Sequence, residues 1–145
     1  MQRERILEYL RAALTTLFRD VVVSAPIVGP NELAEVADSP LFFEVYASER
    51  EVLRETERDV VVCATGAIVA NARLGEGSSR LDAVADRIAR FFAQGRPGAR
   101  GFSETDYTGR RALVYPTSVR RATPEVVDGR YKTTIQIDFE IFEEG

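Results

Sequence analysis

The sequence contains no histidine and a single cysteine, and these two shortages exclude much of the usual catalytic chemistry. Without histidine the chain lacks the commonest general base and cannot form a Ser-His or Cys-His nucleophile. It also lacks the commonest zinc ligand, and one thiolate alone cannot hold zinc. Cys63 can form no intrachain disulfide, which fits a reducing compartment, and we interpret it as a small core residue. These shortages weigh against an enzyme or a metal site.

Long apolar runs are absent as well. No stretch approaches the roughly 18 consecutive apolar residues that a membrane span needs. Residues 1–5 lack the apolar run of a secretory signal. The 145 residues are 45% apolar and 29% charged, which is ordinary for a globular protein. We therefore predict a single domain spanning residues 1–145, with no membrane partner.

Charge is distributed unevenly along the chain. The net charge is −4, but residues 32–59 carry nine acidic residues against three arginines, whereas residues 96–121 carry six arginines against two acidic residues. Residues 125–145 are acidic again, with six acidic residues against two cations. The mild net negative charge argues against a general nucleic-acid binder. Separated patches of opposite sign suit contacts between copies of one protein, although solvated loops of unequal composition give the same pattern.

Two segments have the apolar spacing of amphipathic helices. The first lies near the N-terminus, and its apolar residues are Ile6, Leu7, Leu10, Leu14, Leu17 and Phe18. The second follows a turn at 75–77, ends at Gly95, and has the apolar stripe Leu81, Val84, Ala85, Ile88, Phe91 and Phe92. Each helix can bury one face against a common core.

The remaining regular segments have the character of β-strands. Residues 41–46 and 60–74 are β-prone, and Gly66 predicts a bulge or a bend in the second run. Residues 112–122 and 131–141 form the arms of a hairpin, and the second arm alternates cleanly between apolar and polar residues. The fold class predicted is α+β, with a mixed, mainly antiparallel β-sheet packed against two amphipathic helices.

Local signals refine the hairpin. Pro116 predicts an edge position or a bend in the first arm, because proline cannot donate to a strand ladder. Asp128-Gly129 is a strong signal for a tight turn before the second arm.

Two segments do not fit either pattern. Residues 48–59 are dense in charge and could form a short helix or an exposed hairpin arm. Residues 96–111 are rich in glycine and arginine, and they predict a connection longer than is usual in a compact domain. We predict that both segments are flexible arms.

Other signals for chemistry are weak. Gly75-Glu76-Gly77 lies between a strand and a helix, but Arg80 stands where a dinucleotide-binding loop needs its third glycine. The neighbouring carboxylates, such as Glu143 and Glu144, lie in segments that we expect to be exposed. We predict partner contacts instead, made by Arg96, Arg100, Arg110, Arg111, Arg120, Arg121, Glu49, Glu51, Glu55, Asp138 and Glu140.

The order of these segments resembles a known family. An amphipathic helix leads to β-rich segments, and the run Gly-Ala-Ile-Val-Ala-Asn-Ala-Arg-Leu at 66–74 leads through Gly-Glu-Gly into the helix that ends in Phe91-Phe92. A loop and the hairpin at 111–142 follow. This layout resembles the tail terminator, or tail completion, proteins of long-tailed bacteriophages and gene transfer particles. The resemblance covers nearly the whole chain, but none of its blocks is a catalytic motif.

The resemblance implies a structural role without a cofactor or a reaction. It implies a ring, usually of six copies, that caps the tail tube, stops its polymerisation and joins it to the head connector. The partners would be further copies, the tail-tube protein and the connector protein. DNA would pass through the lumen without sequence-specific binding, past acidic residues that repel phosphate. The protein would be assembled in the bacterial cytoplasm and reside at the head-proximal end of the tail.

Two other functions stay open from the sequence. One is another connector or tail-tube subunit of the same kind of particle, which would share the small α+β character. The other is a small host enzyme or ligand-binding domain, which would need a concave pocket with converging polar groups.

Overall fold

Two helices and seven strands make up the part of the chain that the computed structural model describes, residues 2–21, 25–29, 40–55, 59–74, 78–93, 102–105 and 111–144. In chain order they are α1 (Gln2–Val21), β1 (Ile27–Val28), β2 (Leu41–Glu55), β3 (Asp59–Arg73), α2 (Ser78–Ala93), β4 (Phe102–Thr105), β5 (Arg111–Arg121), β6 (Glu125–Val127) and β7 (Arg130–Glu144).

The seven strands form a single sheet in the order β1-β2-β3-β7-β5-β4, and β6 also pairs with β7. All neighbours are antiparallel except β1 and β2. The central strands β3 and β7 pair without a register shift from Asp59 opposite Glu144 to Arg73 opposite Arg130. The predicted α+β class and the mainly antiparallel sheet are therefore confirmed.

Both helices cover the same face of the sheet. The alternation predicted for β7 is confirmed, because Ile135, Ile137, Phe139 and Ile141 are fully buried beneath the helices. Tyr9 of α1 contacts Phe92 of α2 and Phe139 of β7 edge to face, with ring centroids 5.9 and 5.6 Å apart. These aromatic contacts join both helices to the sheet. Neither helix of the described chain is long and apolar enough to span a membrane.

Residues 48–55 and residue 59 lie in two paired antiparallel strands, so the alternative of a short helix is wrong for them; residues 56–58 lie outside the described residues. β2 continues to Glu55 and pairs with β3, which begins at Asp59. The register shifts between Glu49 and Glu51 and between Val52 and Arg54. Pairing with the β-prone start of β3 stabilises a strand here more than the Glu/Arg spacing stabilises a helix. Strand propensity depends on the neighbouring strand, which the local spacing does not show.

The segment 96–111 contains a strand that the sequence pattern did not predict. β4 pairs with the start of β5, from Phe102 opposite Val114 to Thr105 opposite Arg111. Residues 96–101 and 106–110 lie outside the described residues. The prediction of an unbroken loop is therefore wrong for 102–105. The sequence did not indicate this strand, because four residues are too few to show the alternation of apolar and polar side chains.

The hairpin of the last third has the predicted local features. Asp128 and Gly129 both have positive φ, 52° and 76°, as a two-residue hairpin turn of the primed type requires. β5 shifts register between Pro116 and Ser118, so the proline coincides with an irregularity in the ladder.

Gly66 marks a close approach of side chains rather than a bulge. It lies opposite Ala47 on one side and Ile137 on the other, and neither register shifts there. A Cβ atom at this position would lie 2.9 Å from Phe139 Cε2 and 3.1 Å from Leu10 Cδ1. The missing side chain therefore makes room for the aromatic ring and for α1, and the predicted bulge is wrong.

We expect Gly66→Ala to lower the free energy of unfolding by about 1–3 kcal/mol, because the added methyl overpacks a closed core. Urea denaturation measures the loss. In a Phe139→Leu background, which removes the nearest ring atom, the same substitution should cost clearly less. Equal costs in the two backgrounds would show that the Phe139 ring is not what excludes a side chain at position 66.

Candidate assembly surface

The face of the sheet opposite the helices is the candidate functional surface. We call it the outer face. Strand alternation places there the neighbours of the core residues in β2, β3, β5 and β7. Its exposed and half-buried members include Tyr46, Ser48, Cys63, Thr65, Ala67, Tyr115, Ser118, Arg120, Gln136, Asp138, Glu140 and Phe142, whereas Phe42, Glu44, Val61 and Asn71 are buried on it. Cys63 is half-buried here, so its predicted place in the core is wrong. Small and polar side chains of β3, β5 and β7 occupy its centre, and Tyr115 and Phe142 lie toward the C-terminal end of β7.

Asp138 is the hydrogen-bonding centre of the outer face. Its carboxylate accepts hydrogen bonds from Thr65 Oγ1 at 3.2 Å and from Ser118 Oγ at 2.7 Å. Arg120 Nη2 lies 3.7 Å from the same carboxylate. The Arg120 side chain is 65% exposed and that of Asp138 only 17%. Asp138 therefore joins β3, β5 and β7, while Arg120 still presents most of its guanidinium to solvent.

A second polar network is buried between β2 and β3. Glu44 is 4% exposed and Asn71 is fully buried. Asn71 Nδ2 donates to Glu44 Oε2 at 2.8 Å, and Tyr46 Oη donates to Glu44 Oε1 at 2.5 Å. Burial, and then the hydrogen bond and the charge of Glu44, raise the pKa of Tyr46 to about 12. The network satisfies a buried carboxylate with two donors, which stabilises the charge.

Two aromatic side chains are exposed on the outer face. Tyr115 and Phe142 are 36% and 37% exposed, and their rings meet edge to face with centroids 5.7 Å apart. Tyr115 lies directly opposite Glu140 in the ladder of β5 and β7. Exposed aromatic side chains are enriched in surfaces that contact another protein.

A third polar group fastens α2 to the sheet on the helix side. Asp82 accepts a hydrogen bond from Arg121 Nη2 at 2.9 Å and from Tyr131 Oη at 2.8 Å. The hydrogen bond to Asp82 raises the pKa of the Tyr131 phenol above its ordinary value. Arg121 therefore has a partner within the chain.

The predicted contact residues do not all lie on one surface. Arg120, Asp138 and Glu140 lie together on the outer face, whereas Arg121 lies on the helix side. Arg111, Glu49, Glu51 and Glu55 lie on strands, but their side chains lie outside the described residues. Arg96, Arg100 and Arg110 are outside the described part of the chain altogether.

Sequence reasoning missed the aromatic pair and Asp82. Phe142 carried a readable signal, because it stands at a polar-parity position of β7 directly after Ile141. Tyr115 and Asp82 carried none, since their partners are distant in sequence. Among the described residues, no group of three or more Cys, Asp or Glu side chains could hold a metal ion.

Comparison with known proteins supports the fold and nothing finer. No protein-family model matches the sequence, and no curated protein matches significantly. Ten solved protein chains are similar in structure. One, whose name states no function, has a TM-score of 0.51 and 15% identity over 92% of this chain and 94% of its own length. At that identity the likeness shows a shared α+β fold alone.

We expect Tyr46→Phe to change how stability depends on pH. Because the pKa of Tyr46 is raised from 10.0 to about 12 on folding, its contribution is complete below pH 10 and is lost as the pH rises toward 12. The variant should be less stable than the wild type by about 1–2 kcal/mol at pH 8, since Glu44 loses a donor. The difference should shrink by pH 11.5.

Urea midpoints at pH 8, 10 and 11.5 measure this effect. Glu44→Gln removes the charge but keeps the shape of the side chain, so it should also flatten the alkaline loss. Parallel pH profiles for the wild type and Tyr46→Phe would contradict the assignment of the alkaline loss to this network.

Proposed function

We propose that this chain is a ring-forming structural subunit of a phage or phage-like tail. In this proposal it caps the tail tube, stops its polymerisation and joins the tail to the head connector. The proposal includes no reaction and no cofactor. Its partners are further copies of the chain, the tail-tube protein and the connector protein.

The observation that carries the proposal is where the sheet order places the charged segments. β2, from the acidic segment 32–59, lies on one side of the central strands β3 and β7, and β5, from the arginine-rich segment 96–121, lies on the other. A head-to-tail contact between these two sides brings unlike charges together. Such a contact joins different patches of the same chain, and it closes into a ring when the rotation permits.

The edge strands β1 and β4 each pair with only a few residues of β2 and β5, and the parts of β2 and β5 beyond those pairs also favour a closed rather than an open assembly. β2 carries two register shifts near its outer end, and β5 carries Pro116 and a third shift. Bulges, proline and charge are the features by which proteins discourage unlimited edge-to-edge pairing. These features favour a contact of defined geometry that ends at a fixed number of copies.

We expect the purified protein to form a discrete ring, alone or on addition of tail-tube protein. Mass in solution and negative-stain images measure this outcome. With tube protein present, the chain should shorten or terminate tubes, because the ring occupies their growing end.

Two outcomes would contradict the proposal. Long cylinders formed by the chain itself would indicate a tail-tube subunit instead. A stable monomer with no affinity for tube protein would remove the ring-forming role.

A further inference from the structure

We propose that the outer face is a second contact surface, through which two copies pair about a two-fold axis. The occupant is a second copy of this chain, in a face-to-face packing of two sheets. This inference goes beyond the ring, whose contacts join unlike sides of the subunit. A ring paired through this face would be a double ring with dihedral symmetry.

The first step is the set of side chains that the outer face presents. The Tyr115–Phe142 pair supplies exposed apolar area, and Val61, opposite Phe142 in the ladder, is buried beside it. Arg120 supplies a largely exposed cation and Glu140 a half-buried carboxylate on the same face. An interface between proteins needs an apolar centre with charges that find partners across it, and these residues supply both.

The second step is their spacing along the strands. Arg120 lies opposite Gln136, and Tyr115 lies opposite Glu140, so Asp138 stands midway between the two positions on β7. Strands rise about 3.3 Å per residue, so each position lies roughly 7 Å from Asp138. Consider a two-fold axis that lies between the two sheets, perpendicular to the strands and level with Asp138. Rotation about this axis exchanges these two positions. It places Arg120 of one copy over Tyr115 and Glu140 of the other.

The third step is the chemistry of that exchange. The guanidinium of Arg120 can pair with the Glu140 carboxylate of the second copy and lie against its Tyr115 ring. The symmetry repeats both contacts. The two Asp138 carboxylates would meet near the axis, but each already accepts hydrogen bonds from Thr65 and Ser118 and lies near Arg120. These donors offset the repulsion between like charges.

Charge reversal tests the pairing. Arg120→Glu and Glu140→Arg should each weaken self-association about tenfold or more, because each places like charges together twice. Mixing the two variants should restore association, since every pair in the mixed dimer then joins unlike charges. Analytical ultracentrifugation over a concentration series measures the dissociation constants. Far-UV circular dichroism and thermal melts confirm that each variant is folded.

Val126→Ser is the matched control. Val126 is 61% exposed, but it lies opposite Tyr131, whose side chain faces the helices. Its substitution should leave association unchanged, whereas Tyr115→Ala should weaken it. Single reversals that associate like the wild type, or a mixture no better than either variant alone, would overturn the inference.

The same variants separate this inference from the ring proposal. Loss of pairing in Glu140→Arg, whose site on the central strand β7 lies outside both sides of the ring contact, with rings and tube capping retained, supports a second surface distinct from the ring contact. If that variant still forms double rings like the wild type, the second contact surface is overturned and the ring proposal stays intact. A wild type that pairs but neither forms rings nor caps tubes supports the outer-face contact and overturns the ring.

Discussion

The pairing of β3 with β7 is the interaction on which the rest of the molecule depends. The two strands run together through fifteen residue pairs without a register shift. Because side chains alternate with period two, that single register decides which residues of both strands meet the helices and which meet solvent. A slip of one residue would move Ile135, Ile137 and Phe139 to the outer face and bury Asp138. The register is therefore fixed by the core as much as by the backbone ladder.

The two faces of the sheet are stabilised by different interactions. The helix side is closed by tight packing around Gly66 and by the Asp82 contacts, which fasten α2 to β5 and β7. The outer face is stabilised by hydrogen bonds instead, through Asp138 and Glu44. Glu44 is buried, whereas the hydrogen bonds of Asp138 join β3, β5 and β7 where Ser118 and Arg120 are open to solvent. The outer face can therefore be ordered and remain exposed enough to meet a partner.

The sequence predicted those features that depend on local chemistry. The Asp128-Gly129 turn follows from the tolerance of these residues for positive φ, and the β7 alternation follows from its own pattern. Gly66 was misjudged, because the atoms that exclude a side chain there belong to Leu10 and Phe139, which are distant in sequence. The same limit applies to the candidate surface. Arg120 and Glu140 were expected to make contacts, but only the register of β5 and β7 shows that they share a face.

Sequence order and strand order distribute charge differently, and this difference links the two proposed contacts. Along the sequence, Arg120 belongs to the arginine-rich segment and Glu140 to the acidic end. In the sheet, both lie on adjacent strands and on one face, whereas the acidic β2 lies across β3. The placement of β2 and β5 separates opposite charges across the sheet. The placement of Arg120 and Glu140 separates opposite charges along the strands. The first suits a contact between unlike sides of two subunits, whereas the second is complementary to itself after a two-fold rotation. A single sheet can therefore offer both a contact that propagates around a ring and one that ends at a pair.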